Sequence, residues 1–432
     1  MEKPLTKNIR PGEEPLNLKE YEKTGGYQAA RKALRGMTPQ EIIKIIMDSN
    51  LRGRGGAGFP TGVKWNMMSN VDDTSHPRYL IANTDEMEPG TFKDRLLLEG
   101  DPHQLIEGMI IGAFAVQADI AYIFIRMEYS LSSQRLKKAV TEAYDNNYLG
   151  KNIMGSGYDL ELRLHVSAGR YMCGEETGLL NSLEGKRAIP RAKPPYATTV
   201  GLWGKPTLVN NAETLCSIPH IIKNGADWFK GLSRSEDGGT KIYGASGRVK
   251  KPGSWELPMG TTLREIIEEH AGGMQEGVRL RGVIPGGAST DFLVEEHLDM
   301  KMDFESLQKA GSRMGTGTMI ILDDTTCPVG MVHNFERFFA RESCGWCTPC
   351  REGLPWVEKI LRDMENGHGR YGDIEILQEQ TWLLGPGHTF CALAPGAMEP
   401  LESALRYFRE DFEQHIRERR CPWRHEGEQS SF

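Results

Sequence analysis

"RYLIANTDEMEPG", residues 78–90, is the stretch on which the fold reading turns. "RYLIAN" is a short, nearly continuous apolar run, which predicts a strand buried on both faces, and the polar "TDEMEPG" marks where it stops. Residues 104–116, ending in "GMIIGAFAV" (108–116), read as a buried helix, and "AYIFIR" (121–126) reads as a second strand. Strand, helix and strand in succession predict an α/β layered domain. Such sheets bind ligands beyond the carboxyl ends of their strands, which singles out Asn83, Asp85, Glu86 and Glu88.

Upstream, "TPQEIIKIIMDSN" (38–50) has a helix start with a mechanism. Thr38 is the N-cap, Pro39 takes the first helical position and Glu41 closes a capping box, while Ile42, Ile43 and Ile46 share one apolar face. "GRGGAGFPTG" (53–62) then sets Gly53, Gly55 and Gly58 in G-x-G-x-x-G spacing. Glycines let backbone N–H groups approach a phosphate, and a following helix N-terminus adds a favourable dipole. A structural turn fits the same spacing, because a helix and not a strand precedes it. Lys64 follows within a turn or two and could meet phosphate charge; Phe59 is placed to stack on a flat ring. "YMCGEETGLL" (171–180) puts Gly174, Glu175 and Glu176 ahead of an apolar helix. These carboxylates read equally as helix-start residues favoured by the dipole or as acceptors for ribose hydroxyls that exclude a ligand with an extra phosphate.

Downstream, a second region begins near Thr240. "KIYGASGRV" and "VRLRGVIPGG" read as strands around a helix "TLREIIEEH" opened by a Thr262–Glu265 capping box, a pattern resembling a small β-grasp domain. From Met331 the period becomes helical, with apolar positions at Phe335, Phe338 and Phe339, at Leu354, Val357, Ile360 and Leu361, and at Leu401, Leu405, Phe408 and Phe412. Together with 373–384 this predicts about four helices, a bundle.

"RESCGWCTPCREG" (341–353) sets Cys344, Cys347 and Cys350 at every third position, on a turn that Gly345 and Pro349 place between helices 331–341 and 354–365. Cys391, in "GHTFCALAPGA", supplies a fourth thiol from another loop. Four thiolates hold either zinc or an iron–sulfur cluster. Three ligands from one loop and one remote is a cubane-type pattern and favours [4Fe–4S]. Cys173, Cys216, Cys327 and Cys421 show no such grouping and read as buried or incidental thiols.

With 432 residues the chain has material for two to four domains. Its 52 basic and 59 acidic side chains, a net charge of −7, argue against a dedicated nucleic-acid binder. Gln117 and Asp119 end the longest apolar stretch too early for a bilayer span. The first 25 residues are polar and proline-bearing, expected as a surface arm without a signal region. The expectation is a cytoplasmic protein with reduced thiols.

Taken together, "LRGRGGAGFPTGVKW", "NTDEMEPGTFKDR", "GRYMCGEETGLLNSLEGKR", "PRAKPPY", "GKPTLVNNAETL" and "SCGWCTPCREG" resemble the NADH-binding flavoprotein subunits of respiratory complex I, the F subunits of the bacterial NADH–quinone oxidoreductases. The resemblance runs from about residue 25 to about 420. It implies an arm (1–25), a Rossmann-like α/β domain binding FMN and NADH (26–239), a β-grasp domain (240–328) and a four-helix bundle with a [4Fe–4S] cluster (329–432). By motif matching, Gly53, Gly55, Lys64, Asn83, Asp85, Tyr171, Gly174, Glu175, Asn210 and Asn211 would contact FMN, and Arg54, Gly56, Gly58 and Thr214 are further cofactor-binding candidates. NADH would lie against Phe59, Glu88, Glu176, Lys193 and Tyr196. Tyr196 stands where the family often has Phe, and Met67 where some members have an aromatic. The cluster ligands match Cys344, Cys347, Cys350 and Cys391 one for one.

The implied activity is NADH dehydrogenation. A flavin links a two-electron hydride donor to a one-electron cluster, and no side-chain acid or base is needed for hydride transfer itself, so no catalytic residue is expected. Electrons would pass to a thioredoxin-like [2Fe–2S] subunit and a large multi-cluster iron–sulfur subunit, and ultimately to quinone. The chain would be peripheral to the inner membrane through those partners, without direct membrane contact. The same module occurs as the diaphorase subunit of soluble NAD-linked hydrogenases and formate dehydrogenases, the alternative reading.

Overall fold

A computed structural model describes residues 2–71 and 75–424. Met1 and residues 425–432, the outermost parts of the expected arm and helical domain, lie outside the described residues. The chain forms two compact units. One comprises Met1–Met87, Phe92–Ile242 and Glu256–Gly260; the other comprises Glu88–Thr91, Tyr243–Trp255 and Thr261–Phe432.

The first unit is built on four parallel strands, β1 (Tyr79–Thr84), β2 (Ile120–Arg126), β3 (Glu161–Ser167) and β4 (Thr207–Asn211). Their order is β3-β2-β1-β4. β1 and β2 are buried almost throughout, as their continuous apolar runs require, while edge strand β3 alternates and exposes Glu161. The Pro102–Ala115 helix is buried nearly all round. From β1 the chain moves to β2 and β3 on one side, then returns to place β4 on the other. The topological switch point therefore falls between β1 and β4, and its crevice lies outside their carboxyl ends. There the register sets Asn83 beside Asn211 and Ala82 beside Asn210.

The expected Thr38 cap is present: Glu41 N donates to Thr38 Oγ1 and Thr38 N to Glu41 Oε2, at the head of the Pro39–Asp48 helix. The segment read as a surface arm differs from that reading. Leu5, Leu18 and Tyr21 are buried, and Leu5 N donates to Glu256 Oε1 at 3.0 Å. Apolar residues so widely spread form no periodic face that a sequence reading could detect.

A second, mixed sheet has the order β6-β5-β8-β7, from β5 (Thr240–Ser246), β6 (Gly253–Pro258), β7 (Leu280–Ile284) and β8 (Thr318–Asp323). β5 and β8 run parallel, β7 and β8 antiparallel. The Thr262–Glu265 capping box forms as expected. Five helices follow: Pro328–Glu342, Thr348–Glu365, Asp373–Leu383, Leu393–Tyr407 and Arg409–Glu418. The run of apolar positions from Leu401 to Phe412 is thus two helices, because Phe408 leaves helical geometry at φ −127°. The second helix also starts earlier than expected. Pro349 sits in its first turn, where a missing N–H costs nothing, so the proline opens the helix that it was expected to precede.

Candidate functional site

The glycine loop closes on itself before the Thr61–Ser69 helix: Gly53 N donates to Phe59 O and Thr61 N to Leu51 O, each at 2.9 Å. Gly56 adopts φ 122°, a region closed to other residues. A Cβ on Gly55 would lie 3.0 Å from Asn211 Cβ, so a side chain there would push Asn211 back by a few tenths of an ångström. Arg54 N donates to Thr214 Oγ1 at 2.9 Å, while its buried guanidinium donates to Gly238 O and Thr240 O. Its side chain thus anchors the loop from beneath.

Around this loop the first unit gathers most of the expected residues. Trp65 Nε1 donates to Asn210 Oδ1 at 2.8 Å and fixes that amide. Asn211 caps the Ala212–Asn224 helix through Glu213 N, and its Nδ2 donates to Asp94 Oδ2. Asn83 Nδ2 donates to Gly174 O at 2.9 Å, and Asp85 lies buried just past β1. Tyr171 and Gly174 share the short helix that precedes Glu175.

Two lysines converge on Glu176: Lys64 Nζ at 2.7 Å from one carboxylate oxygen and Lys193 Nζ at 3.1 Å from the other. Lys193 also reaches Glu175 at 3.0 Å. Burial works against charge on Glu176, but Lys64 and Lys193 outweigh it and hold its carboxyl below the usual carboxylate range. Glu175 is the N-cap of the Glu176–Leu183 helix, accepting from Thr177 N and Gly178 N at 2.8 Å. Of the two readings open for these carboxylates, Glu175 takes the helix-start role, while Glu176 is committed to the lysines. Phe59 and Tyr196 are 47% and 58% exposed, leaving ring surface available for stacking, and Met67 is 49% exposed. Glu88 belongs to the second unit, where its Oε1 accepts from Ser289 N at 2.7 Å.

Sequence reasoning missed the charged pedestal next to the loop. Glu213, fully buried, binds Lys93 at 2.8 Å and Lys241 at 3.3 Å, and Lys93 also pairs with Asp94 at 2.7 Å. Burial disfavours charge on Glu213, yet Lys241, Lys93 and Arg54 bring its carboxyl down to about 2. Glu86 goes the other way: burial, then the Asp94 charge, push it up to about 7. Its carboxylate accepts from Lys93 N and Asp94 N at the start of the Asp94–Gly100 helix. It therefore satisfies backbone donors at the start of that helix.

In the second unit Cys347 precedes the Thr348–Glu365 helix, Cys350 lies in its first turn, and Cys391 lies in the loop before Leu393–Tyr407. Burial pushes the Cys350 thiol up to about 12; the Ser343 hydroxyl, 3.2 Å away, opposes the rise, and nearby Cys347, Cys391 and Cys344 add to it. The four thiols thus share one neighbourhood. A single tetrahedral zinc needs its sulfurs within about 3.8 Å of one another. Trp346 is exposed.

The comparisons with known proteins agree with this geometry. The Nuo51 FMN-binding domain profile matches residues 46–220, the SLBB domain 241–320, and the NADH-ubiquinone oxidoreductase-F iron-sulfur binding region 330–415. The sequence is 57% identical to the F subunit of NADH-quinone oxidoreductase from Salmonella typhimurium, and equally to that from Escherichia coli, over 96% of this chain and 93% of each relative. This chain belongs to the family of NADH-quinone oxidoreductase F subunits. It is 46% identical to the F subunit from Streptomyces coelicolor, over 95% of this chain and 90% of that one. The crystal structure of an air-oxidized NAD+-reducing [NiFe]-hydrogenase superposes with a TM-score of 0.79 at 36% identity, covering 88% of this chain and 63% of that chain. Among the described residues no helix is long and apolar enough to cross a membrane.

The residues present fit both cofactors. The Gly55 close approach and the Asn83, Asn210 and Asn211 amides form a polar cradle at the switch point, and Cys344, Cys347, Cys350 and Cys391 are the donor set an iron–sulfur cluster takes.

Proposed function

We propose that this chain is the NADH-oxidising flavoprotein subunit of a complex I-type NADH–quinone oxidoreductase. In this reading residues 26–239 form a Rossmann-like domain for FMN and NADH. Residues 240–328 form a β-grasp domain and 329–432 a helical bundle for [4Fe–4S]. FMN is held by Gly53, Gly55, Gly56, Gly58, Lys64, Asn83, Asp85, Tyr171, Gly174, Glu175, Asn210 and Asn211, with Arg54 and Thr214 bracing the loop. Phe59 and Tyr196 offer stacking faces to NADH, and Glu176 and Lys193 offer its polar contacts. Bound FMN supplies the exchange between a hydride pair and single electrons. The protein's own part is positional: the glycine loop brings backbone donors near a phosphate, and Glu176 holds both lysines in place. Electrons leave to a thioredoxin-like [2Fe–2S] subunit and a multi-cluster subunit, which tether the chain at the cytoplasmic side of the inner membrane.

The observation that carries the reading is the gathering of Cys344, Cys347 and Cys391 about Cys350, within the segment that matches the iron–sulfur region. The test is anaerobic purification of the full chain with flavin and iron analysis and an NADH–ferricyanide assay. One FMN and about four iron atoms per chain, with activity, are expected; colourless, inactive protein after reconstitution would overturn it. A second reading, the diaphorase subunit of an NAD-linked hydrogenase or formate dehydrogenase, draws support from the hydrogenase superposition. The partners that co-purify distinguish the two.

A further inference from the structure

Away from the four-thiol set, the second unit brings four ligand-type side chains from separate segments to one point. Cys327 precedes the Pro328–Glu342 helix, Glu365 ends Thr348–Glu365, His415 lies in Arg409–Glu418, and Cys421 follows that helix. One ligand atom from each lies within 4.8 Å of all the others. Cys327 Sγ is 3.1 Å from Glu365 Oε1 and 3.4 Å from His415 Nε2, and those two are 3.0 Å apart. We propose that Cys327, Glu365, His415 and Cys421 form a structural zinc site, separate from the iron–sulfur ligands.

Two thiolates, an imidazole and a carboxylate are ligands zinc accepts, and four protein ligands close the tetrahedron, as structural sites do. Metal–ligand bonds of about 2.0–2.3 Å place such donors roughly 3.3–3.8 Å apart, so Cys327, Glu365 and His415 need to spread by only a few tenths of an ångström, while Cys421, within 4.8 Å of them, has to draw in to the same spacing. The surroundings aim the donors inward. His415 Nδ1 is 2.6 Å from Asp411 O, so its N–H is donated there, and Nε2 faces Glu365 and Cys327, where a metal would take the place of its proton. Gly330 N donates to Cys327 Sγ at 3.2 Å. The His415 ring stacks on Trp423, 6.0 Å away and within 17° of parallel. Charge also closes. Two thiolates and a carboxylate around Zn²⁺ leave one negative charge, and Arg424 pairs with the outer oxygen of Glu365. A hydrogen-bonded pair of Glu365 and His415 explains one cysteine as a donor; it does not explain a second thiol at the same point. Zinc has no redox step, so the site would tie the ends of three helices and the segment after them without joining the electron path.

The experiment uses the full chain with its flavin and cluster, dialysed against a chelator and analysed for zinc, iron and FMN. One zinc per chain is expected. X-ray absorption at the zinc edge should show two sulfur neighbours and two nitrogen or oxygen neighbours, a reading needing no variant. C421S should lower zinc at least tenfold with flavin and iron unchanged, and H415A should do the same if C421S fails to fold. Zinc below about a tenth of an atom per chain, a four-sulfur shell, a Cys327–Cys421 disulfide in unreduced peptides, or full zinc retention in both variants would each refute the proposal.

Discussion

Replacing Glu213 by Gln tests the charged pedestal next to the glycine loop. Glu213 is fully buried; its Oε2 meets Lys93 and Lys241, and its Oε1 accepts from Ile242 N at 2.8 Å. Bringing a carboxyl from its ordinary 4.5 down to about 2 corresponds to about 3 kcal/mol of folding free energy. Breaking a buried ion pair from one side costs roughly 3–5 kcal/mol, so the two routes agree. Lys93 keeps Asp94 in the variant, whereas Lys241, whose value burial already lowers to about 7, loses its counter-charge. Glu213→Gln should therefore destabilise the first unit by about 3 kcal/mol, and adding Lys241→Met should recover most of the loss. The readout is hydrogen–deuterium exchange at the Ile242 amide, which should quicken by about two orders of magnitude in the single variant. The pH sign is fixed as well. Because the folded carboxyl is depressed, its stabilisation is complete above about 4.5 and is lost as pH falls through about 2. Wild type should thus lose about 3 kcal/mol more than the double variant across that window. A near-neutral Glu213→Gln, or a double variant no better than the single, would refute the charge argument.

Glu176→Gln removes the charge that two lysines share and should raise NADPH use relative to NADH about tenfold, measured as the ratio of kcat/KM values; an unchanged ratio counts against a role in cofactor choice. Gly55→Ala forces a Cβ to 3.0 Å from Asn211 and should weaken FMN retention roughly tenfold, read by flavin fluorescence after gel filtration, with the iron content unaffected. Cys391→Ala should abolish the cluster's EPR signal while FMN stays bound, and an intact cluster in that variant would show that Cys391 is not a ligand.

What the sequence disclosed and what it hid divide along one line: local pattern against distant convergence. The β1 and β2 strands, the Thr38 and Thr262 caps and the Cys344–Cys350 triplet were legible because each is a short-range signal, a run, a box or a fixed spacing. The switch point that sets Asn83 beside Asn211 needs the strand order, and no local signal carries it. Pro349 was misread because a proline at a helix start and one at a helix break look alike in sequence; only the geometry of Cys347 and Thr348 distinguishes them. Cys327 and Cys421 are the sharpest case. Read as incidental thiols, they meet Glu365 and His415 only because three segments far apart in the chain, around residues 327, 365 and 415–421, pack together. A metal knuckle announces itself when its ligands share a loop. When the ligands come from separated helix ends, the only sequence trace is a buried polar residue at each terminus, which ordinary capping produces just as well.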